Sequence, residues 1–400
     1  MLLCLLLALL LPLAPPSLVP ADTTDDGIEV GFRIIPNAFY SSTKGFGVGG
    51  GVALKNVFAP GTELFVTAQA MQRFGRYRAA FFTSDPFEAP LYTGVAGQYV
   101  TDQVYRFYGL GPQSSADDNV FVDLERVEAE LRVGWYPLGT GPLLLQPVVR
   151  LLHTNVHSFR DRDPDAFLRL DAASQRTLFE SVNTPTTGVT YGLEVAVDTR
   201  DKPRYSSRGA LFLLTGRRYD GLGDDAFRYY AGTASAYGFV PLPAERHVLF
   251  GRAILALTRP IGDDVLPFYA LPVLDDDLLD AYTSTRFHGH DLLVFTAGYH
   301  FPLLTLLDWF AFDANVAVSA ANAYDDVFEQ FAPGIAFGTD FSDEGTRTRL
   351  RPALSLGLQF VNLERERVVI SGQVGLSPEG FRLGTVRLVY EIRDLYPVVR

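Results

Sequence analysis

The chain has 400 residues, of which 48% are hydrophobic, 13% aromatic and 20% charged. Such a composition excludes intrinsic disorder, a coiled coil and a collagen-like fibre. With 34 Lys and Arg against 46 Asp and Glu, the net charge is −12, which argues against nucleic acid as a partner. The 36 Gly, 30 Phe and 19 Tyr against two Met favour β-structure, and Cys4 is the one cysteine. The rest of the chain therefore has no disulfide, no thiolate nucleophile and no Cys-based metal site.

Met1 to Pro20 is an apolar run broken by Pro12, Pro15 and Pro16, without a Lys or Arg before it. Small residues at Val19-Pro20-Ala21 then precede the polar stretch Asp22 to Asp26. Residues 1–21 are read as a secretory signal peptide, because the prolines argue against a spanning helix. No run of about 18 apolar residues follows, so residues 22–400 cannot cross a membrane as helices.

From there the dominant period is two. Phe46, Val48, Val52 and Leu54 oppose Gly47, Gly49, Gly51 and Lys55. Val127, Ala129, Leu131, Val133 and Trp135 alternate with Glu128, Glu130, Arg132 and Gly134. In Val189 to Asp198 the odd positions are large and apolar, and Leu354, Leu356, Leu358 and Phe360 flank Ser355 and Gln359. Strands are expected near 28–40, 45–56, 62–73, 76–83, 91–101, 120–136, 143–157 and 187–199. The second half adds 208–219, 226–240, 246–258, 290–302, 308–320, 348–360, 364–376 and 381–391. Sixteen strands, about 24 residues each with their connections, predict an all-β fold, a single antiparallel transmembrane β-barrel. Short turns at Ala59-Pro60-Gly61 and Ser377 to Gly380 contrast with long polar loops near 158–186, 259–289 and 321–347. That asymmetry fits periplasmic turns and extracellular loops. Aromatic pairs at strand ends, including Trp135-Tyr136, Tyr229-Tyr230 and Trp309-Phe310, suit interfacial girdles.

Several motifs are discounted. Gly45-Phe46-Gly47-Val48-Gly49-Gly50 matches G-x-G-x-x-G but has no helix after it. His288 and His290 lack a third convergent metal ligand and are expected to be solvated. Asp275-Asp276-Asp277 and Asp161 to Asp165 lack the spacing of a calcium loop, and no G-x-S-x-G elbow is present. No metal, cofactor or enzymatic activity is expected.

Residues 187–391 resemble the C-terminal half of a BamA/TamA-type barrel, the bacterial surface antigen superfamily. The segment Asp198-Thr199-Arg200-Asp201-Lys202-Pro203, then Arg208-Gly209, resembles the family's D-T-R-D-x-P and R-G. Phe268 to Pro272 with Arg286-Phe287 resembles its long sixth extracellular loop. Ala297 to Leu303 is similar to A-E-Y-R-F-P-L, Phe310 to Ala314 to F-V-D-x-G, and Tyr108-Gly109-Leu110-Gly111 to an early-loop motif. The resemblance implies a sixteen-stranded outer-membrane barrel whose sixth loop folds into the lumen, and relatives that insert or translocate proteins. It also implies contact with outer-membrane lipid and lipopolysaccharide, and with client proteins.

Two departures matter. Only residues 22 to about 27 precede the first expected strand, so no periplasmic POTRA domain fits, and a separate periplasmic protein is the expected partner. The family's loop arginine of R-G-F/Y falls at Asp280-Ala281-Tyr282, leaving Asp313 without its cation. Two facing carboxylates would repel, so Arg286 is expected to supply the charge to Asp313. The chain is expected to be a divergent assembly or translocation barrel; the alternative is a passive structural or pore-type barrel. On its walls, Leu193→Arg is expected to cost ~2–4 kcal/mol in lipid, and loss of the lumenal Glu194 carboxylate much less.

Overall fold

A computed structural model describes residues 31–388 except 42, 85–89, 140, 162–164, 183–184, 203–204, 224–226, 275–280, 307–308, 339–343 and 365–366. The signal segment 1–21, the triple Asp275 to Asp277, Asp280 and the chain end after 388 lie outside the described residues.

Alternation becomes strand after strand. β1 (Gly31–Ser41), β2 (Gly45–Lys55), β3 (Thr62–Met71) and β4 (Phe74–Ser84) run up and down. Longer strands follow in β5 (Leu91–Phe107), β6 (Val120–Trp135), β7 (Leu143–Asp161) and β8 (Thr186–Asp198). The second half is β9 (Gly209–Leu222), β10 (Arg228–Pro241), β11 (Val248–Pro260) and β12 (Asp291–Leu306). It ends with β13 (Phe310–Tyr324), β14 (Arg351–Asn362), β15 (Arg367–Ser377) and β16 (Gly380–Leu388). Each pairs antiparallel with its chain neighbours, and β16 pairs back to β1, closing one sixteen-stranded barrel. Among the described residues no helix is long and apolar enough to cross a membrane.

Strands β5, β7, β12 and β13 overrun their expected ends by four residues or more, three of them for visible reasons. In β5 a register shift between Asp102 and Tyr105 resets the alternation as a bulge does, so the strand continues to Phe107. A shift between Asp123 and Leu124 lets β6 pair with β7 out to Asp161. In β13 the inward positions Ala321 and Ala323 are fully buried alanines, so the apolar–polar rhythm fades before the strand does. The G-x-G-x-x-G stretch lies inside β2, where a Cβ at Gly47 would come within 2.6 Å of Phe39 and Met71 side chains.

Connections after odd-numbered strands share one end of the barrel. These include 108–119, 162–185, 261–290 and 325–350, and short helices occur in two of them, at Ala166–Arg169 and Ala172–Ser181, and at Val327–Gln330 and Glu344–Arg347. The other end carries the shorter turns 56–61, 136–142, 199–208 and 242–247. Outward positions are apolar around the whole circumference: Ile34, Val66, Val95, Leu131, Val149, Leu193, Leu214, Phe295, Val318 and Leu356 are all exposed. A continuous apolar girdle of this kind is a lipid-facing surface rather than a water-facing one. Not every terminal aromatic belongs to it. Tyr229 turns inward and stacks on Tyr219, centroids 5.0 Å apart, whereas Tyr230 is exposed.

The lumen wall holds its charges in pairs. Arg132 and Arg150 both bond Glu130, with Arg132 Nε 2.7 Å from its Oε1, and Arg150 also meets Glu128 at 2.7 Å. Gln146 Nε2 donates to Glu194 at 2.6 Å, and Arg217 pairs with the same carboxylate. Glu194 is 2% exposed, which corrects the expectation that this face tolerates change. Removing its carboxylate strands Arg217 and Gln146, and unpaired buried charge is expensive. We expect Leu193→Arg to cost ~2–4 kcal/mol and Glu194→Ala to cost a similar amount, measured by urea unfolding in phospholipid vesicles. A Glu194→Ala barrel as stable as the parent would mean that the pair carries no strain-relieving role. The native chain should also migrate faster unboiled than boiled on a detergent gel, as closed barrels do.

Candidate functional site

The described parts of the long β11–β12 connection, 261–274 and 281–290, fold into the barrel mouth at the long-loop end and pack as a plug. Its 3₁₀ turn Phe268–Ala270 buries Phe268 against Phe107, Val120, Val122 and Leu178. Further along, Ala281, Tyr282 and Phe287 pack with Leu292, Val294, Ala321 and Ala323 on the wall. Tyr282 donates to the Pro352 carbonyl at 3.0 Å and meets the Phe287 ring edge-on. Ser377 Oγ donates to the Ala281 carbonyl at 3.2 Å, so the plug also touches β15. The Tyr108 to Gly111 motif is the ledge it docks on, since Gly111 N–H donates to the His288 carbonyl at 2.7 Å. Gly109 and Gly111 both have positive φ, 95° and 71°, a conformation that glycine adopts without strain.

Arg286 is the latch of this plug. It is 1% exposed, donates to Glu379 Oε1 at 2.9 Å, and reaches Ser114 Oγ at 2.8 Å and Ser114 O at 2.7 Å. Its guanidinium lies over the rings of Tyr108 and Phe287. Arg351, fully buried at the start of β14, covers Phe287 as well and donates to the Pro112 carbonyl. Arg286 thus ties three elements together: the plug, the β5–β6 loop and the β15–β16 turn.

Asp313 lies elsewhere, so the expected Arg286–Asp313 contact is not formed. Arg351 pairs with Ala321 on β13 and Asp313 with Gln359. Asp313 is eight residues further along the strand, roughly 27 Å toward the short-turn end at ~3.4 Å per residue. The plug stays at the long-loop mouth because its cation finds Glu379 there. Asp313 takes other partners. Fully buried, it accepts from Tyr205 Oη, lies 3.1 Å from His300 Nε2, and has Arg246 Nη1 3.6 Å from its second oxygen. Burial, then the bond to Asp313, raises the Tyr205 phenol above its ordinary value, so it stays a donor.

The family-like segment supplies Tyr205. Asp198 on β8 chelates Arg200, at 2.9 Å from Nε and 2.8 Å from Nη2. Asp201 accepts from Ser207 N–H at 2.9 Å and Arg208 N–H at 3.1 Å. Burial alone would raise its pKa, but the Ser207 hydroxyl and these N–H donors hold it below the ordinary carboxylate value. Gly209 has φ 94°, and a Cβ there would stand 2.2 Å from the Thr199 carbonyl. Asp198, Arg200, Asp201, Arg208 and Gly209 thus hold the two ends of the turn from which Tyr205 reaches Asp313 in the lumen. Of the Asp313 partners, His300 was legible as the inward neighbour of the outward Tyr299 and Phe301. Tyr205 and Arg246 lie in turns with no periodic signal.

A cavity of about 570 Å³ opens beside this cluster, lined by Arg200, Lys202, Tyr205, Arg246, Arg252 and His300 among others. Among the described residues no group of three or more His, Cys, Asp or Glu is placed to hold a metal. His288 is not solvated as expected. It is fully buried, bonded to Tyr105 at 2.7 Å and flanked by Phe107 at 5.3 Å.

No protein-family model matches the sequence, and neither does any curated protein. Solved structures match the fold. BamA from Haemophilus ducreyi lacking POTRA domains 1-3 superposes with TM-score 0.61 at 13% identity, over 90% of this chain and 70% of that one. CdiB from Escherichia coli gives 0.52 at 12%, over 91% and 68%. The fold is that of the BamA and CdiB barrels. CdiB from Acinetobacter baumannii gives 0.51 at 11%, over 90% of this chain and 60% of that one. The resemblance drawn from the sequence motifs thus holds in the fold, while Arg286 is anchored by Glu379 and not by the Asp313 expected from the sequence.

Two outcomes are expected at the plug. Arg286→Ala leaves Glu379 buried without its cation, a loss of about 3–5 kcal/mol, and should expose 261–290 to protease; the exchange Arg286→Glu with Glu379→Arg should restore protection, and parental cleavage in Arg286→Ala, or an exchange as sensitive as that single variant, would remove the latch. Burial depresses the His288 pKa to about 3, the adjacent Arg286 adding to it. The unfolded residue titrates near 6.5, so plug stability is full above that pH and declines as pH falls toward 3. Proteolysis of 261–290 should accelerate across that window, and less so in His288→Gln; identical profiles would dismiss the histidine.

Proposed function

We propose that this chain is an outer-membrane barrel of the assembly or translocation kind, exported by its leading segment and acting without enzyme chemistry. Its partners in this reading are outer-membrane lipid and lipopolysaccharide, unfolded client proteins, and a separate periplasmic protein that delivers them. The fold likeness to BamA and CdiB supports the class. The observation that carries the reading is the seam. β1 pairs with β2 along its whole length, from Gly31↔Lys55 to Ser41↔Gly45. The described pairs between β1 and β16 are Phe39↔Arg387 and Tyr40↔Val386. The barrel closes at this seam, and a strand could part from the sheet there only if another strand replaced its backbone bonds, since lipid offers none.

A passive pore is favoured less, because the described plug residues Leu266, Phe268, Leu271, Tyr282 and Phe287 pack into one mouth as apolar side chains. The test locks the seam. A chain carrying Cys4→Ser, Tyr40→Cys and Val386→Cys is reconstituted in liposomes and offered a urea-unfolded eight-stranded barrel protein. The reduced form should speed folding of that protein several-fold over empty liposomes, and oxidation should abolish the gain. Equal rates in both forms would defeat the proposal. No gain in either form, together with a steady ohmic conductance in planar bilayers, would establish the passive pore instead.

A further inference from the structure

The β13–β14 connection leans over the outer face of the barrel at the long-loop end. Leu292, Val294, Ala321 and Ala323 pack against the plug in the lumen, so Asp291, Asn322 and Tyr324, which alternate with them, point outward. Outward side chains such as Phe295 and Val318 on the same strands are exposed, yet these three are fully buried. The connection covers them. Val327 N–H donates to Asp291 Oδ2 at 2.8 Å, Tyr324 Oη to the Thr348 carbonyl at 3.1 Å, and Asn322 Nδ2 to the Arg347 and Arg349 carbonyls. Phe331 meets the Tyr324 ring edge-on. Asp326 fixes the first turn, accepting from Phe328 N–H at 2.9 Å while its other oxygen lies 3.4 Å from Arg259 Nη2. A segment tied down in this way nevertheless leaves large apolar side chains in the open: Phe328 is 72% and Phe337 74% exposed, with Ile335 exposed between them.

We infer that this connection is a membrane-interface pad, with Phe328 and Phe337 set into the headgroup–acyl boundary of the bilayer that the barrel spans. The inference rests on the lipid-facing girdle and goes beyond the assembly reading, since a passive barrel would carry the pad equally. Exposed aromatics of this size mark an interaction surface, and three features select lipid as its occupant. First, the pad continues the girdle. Leu293 and Phe295 follow Asp291 on the same outward face, about 7 and 14 Å further along the strand at ~3.4 Å per residue. Beyond β14, Leu376 and its cross-strand partner Phe381 are exposed as well. Second, the neighbouring strands mark the interface. Tyr191, Arg218, Tyr230 and Arg259 are successive cross-strand partners in one outward row from β8 to β11. Tyrosines settle at headgroup level, and an arginine there keeps its charged head in water while its stem covers apolar surface. Each guanidinium also has a carboxylate, Asp220 for Arg218 and Asp291 for Arg259, so the row selects a depth rather than a headgroup charge. Third, the pad has two sides. Val327 is buried on the wall while the adjoining Phe328 is exposed, as in segments that lie along a membrane surface.

The experiment uses the full chain with Cys4→Ser and one added cysteine at a time, each labelled with bimane. The positions are Phe328→Cys and Phe337→Cys on the pad, Val318→Cys on the girdle, and Ser115→Cys at an exposed site of the β5–β6 loop. Each chain is reconstituted in phosphatidylcholine vesicles carrying a nitroxide on acyl carbon 5 or carbon 12, and its folding is read from unboiled gel mobility. Labels at 328 and 337 should be quenched at least threefold more than the label at 115, and more by the carbon-5 than by the carbon-12 nitroxide. The label at 318 should show the opposite depth preference. Because bimane is itself apolar, the unlabelled cysteines are also exposed to a water-soluble maleimide, which should modify 328 and 337 several-fold more slowly than 115. Quenching at 328 and 337 no greater than at 115, or equal maleimide rates, would overturn the pad; with 318 still quenched, the spanning barrel and the assembly reading would stand. Absence of quenching at 318 as well would remove the bilayer, and both proposals with it. Pad labels shielded from the nitroxides and from aqueous iodide alike would overturn the lipid contact in favour of a second copy of the chain.

Discussion

A backbone that faces lipid must satisfy every N–H and C=O within the protein, and a sheet does so only by closing on itself. That constraint explains why the first and last strands are brought together at all, and why sixteen alternating strands have one apolar and one polar face. It also sets the problem the interior must solve. Inward positions are too close to one another to be charged without partners, so the wall pairs Glu130 with Arg132 and Arg150, and Glu194 with Arg217 and Gln146. These pairs are a consequence of closure, and substitutions on that face are felt accordingly.

The two ends of the lumen solve different problems. At the long-loop mouth, Phe268, Phe287 and Tyr282 of the plug pack into the opening, and the buried Arg286 and Arg351 anchor it. Both cations stack on Phe287, and Glu379 supplies the opposing charge to Arg286. At the short-turn end, the β8–β9 connection delivers Tyr205 to Asp313, and the β10–β11 turn delivers Arg246. A buried carboxylate with three neighbours of this kind needs no loop arginine. Asp313 therefore has its partners at the short-turn end, while Arg286 has Glu379 at the long-loop end, so neither charge is left buried alone.

Much of the architecture was legible from alternation alone, because a half-buried strand repeats every two residues whatever its neighbours are. Strand ends were misjudged where that rhythm fails for local reasons, at the bulge in β5 and at the alanines of β13. The plug was legible as a segment, through Phe268 to Pro272 and Arg286-Phe287, but not its anchor. Nothing in the sequence near 286 distinguishes Asp313 from Glu379 as a partner, since both are acids distant along the chain. His288 shows the same limit, for a histidine in a polar-looking loop carries no mark of burial.

The sequence by itself determined the fold class, the sixteen strands, which face of each meets lipid, and which end carries the long loops. All of these follow from local periodicity and from turn and loop lengths, which are properties of short stretches of chain. Only the tertiary structure decided that Arg286 closes on Glu379, and that Tyr205, His300 and Arg246 converge on Asp313. Those pairings join residues tens to hundreds of positions apart, and their distances are set by strand register and barrel closure, which no local pattern encodes.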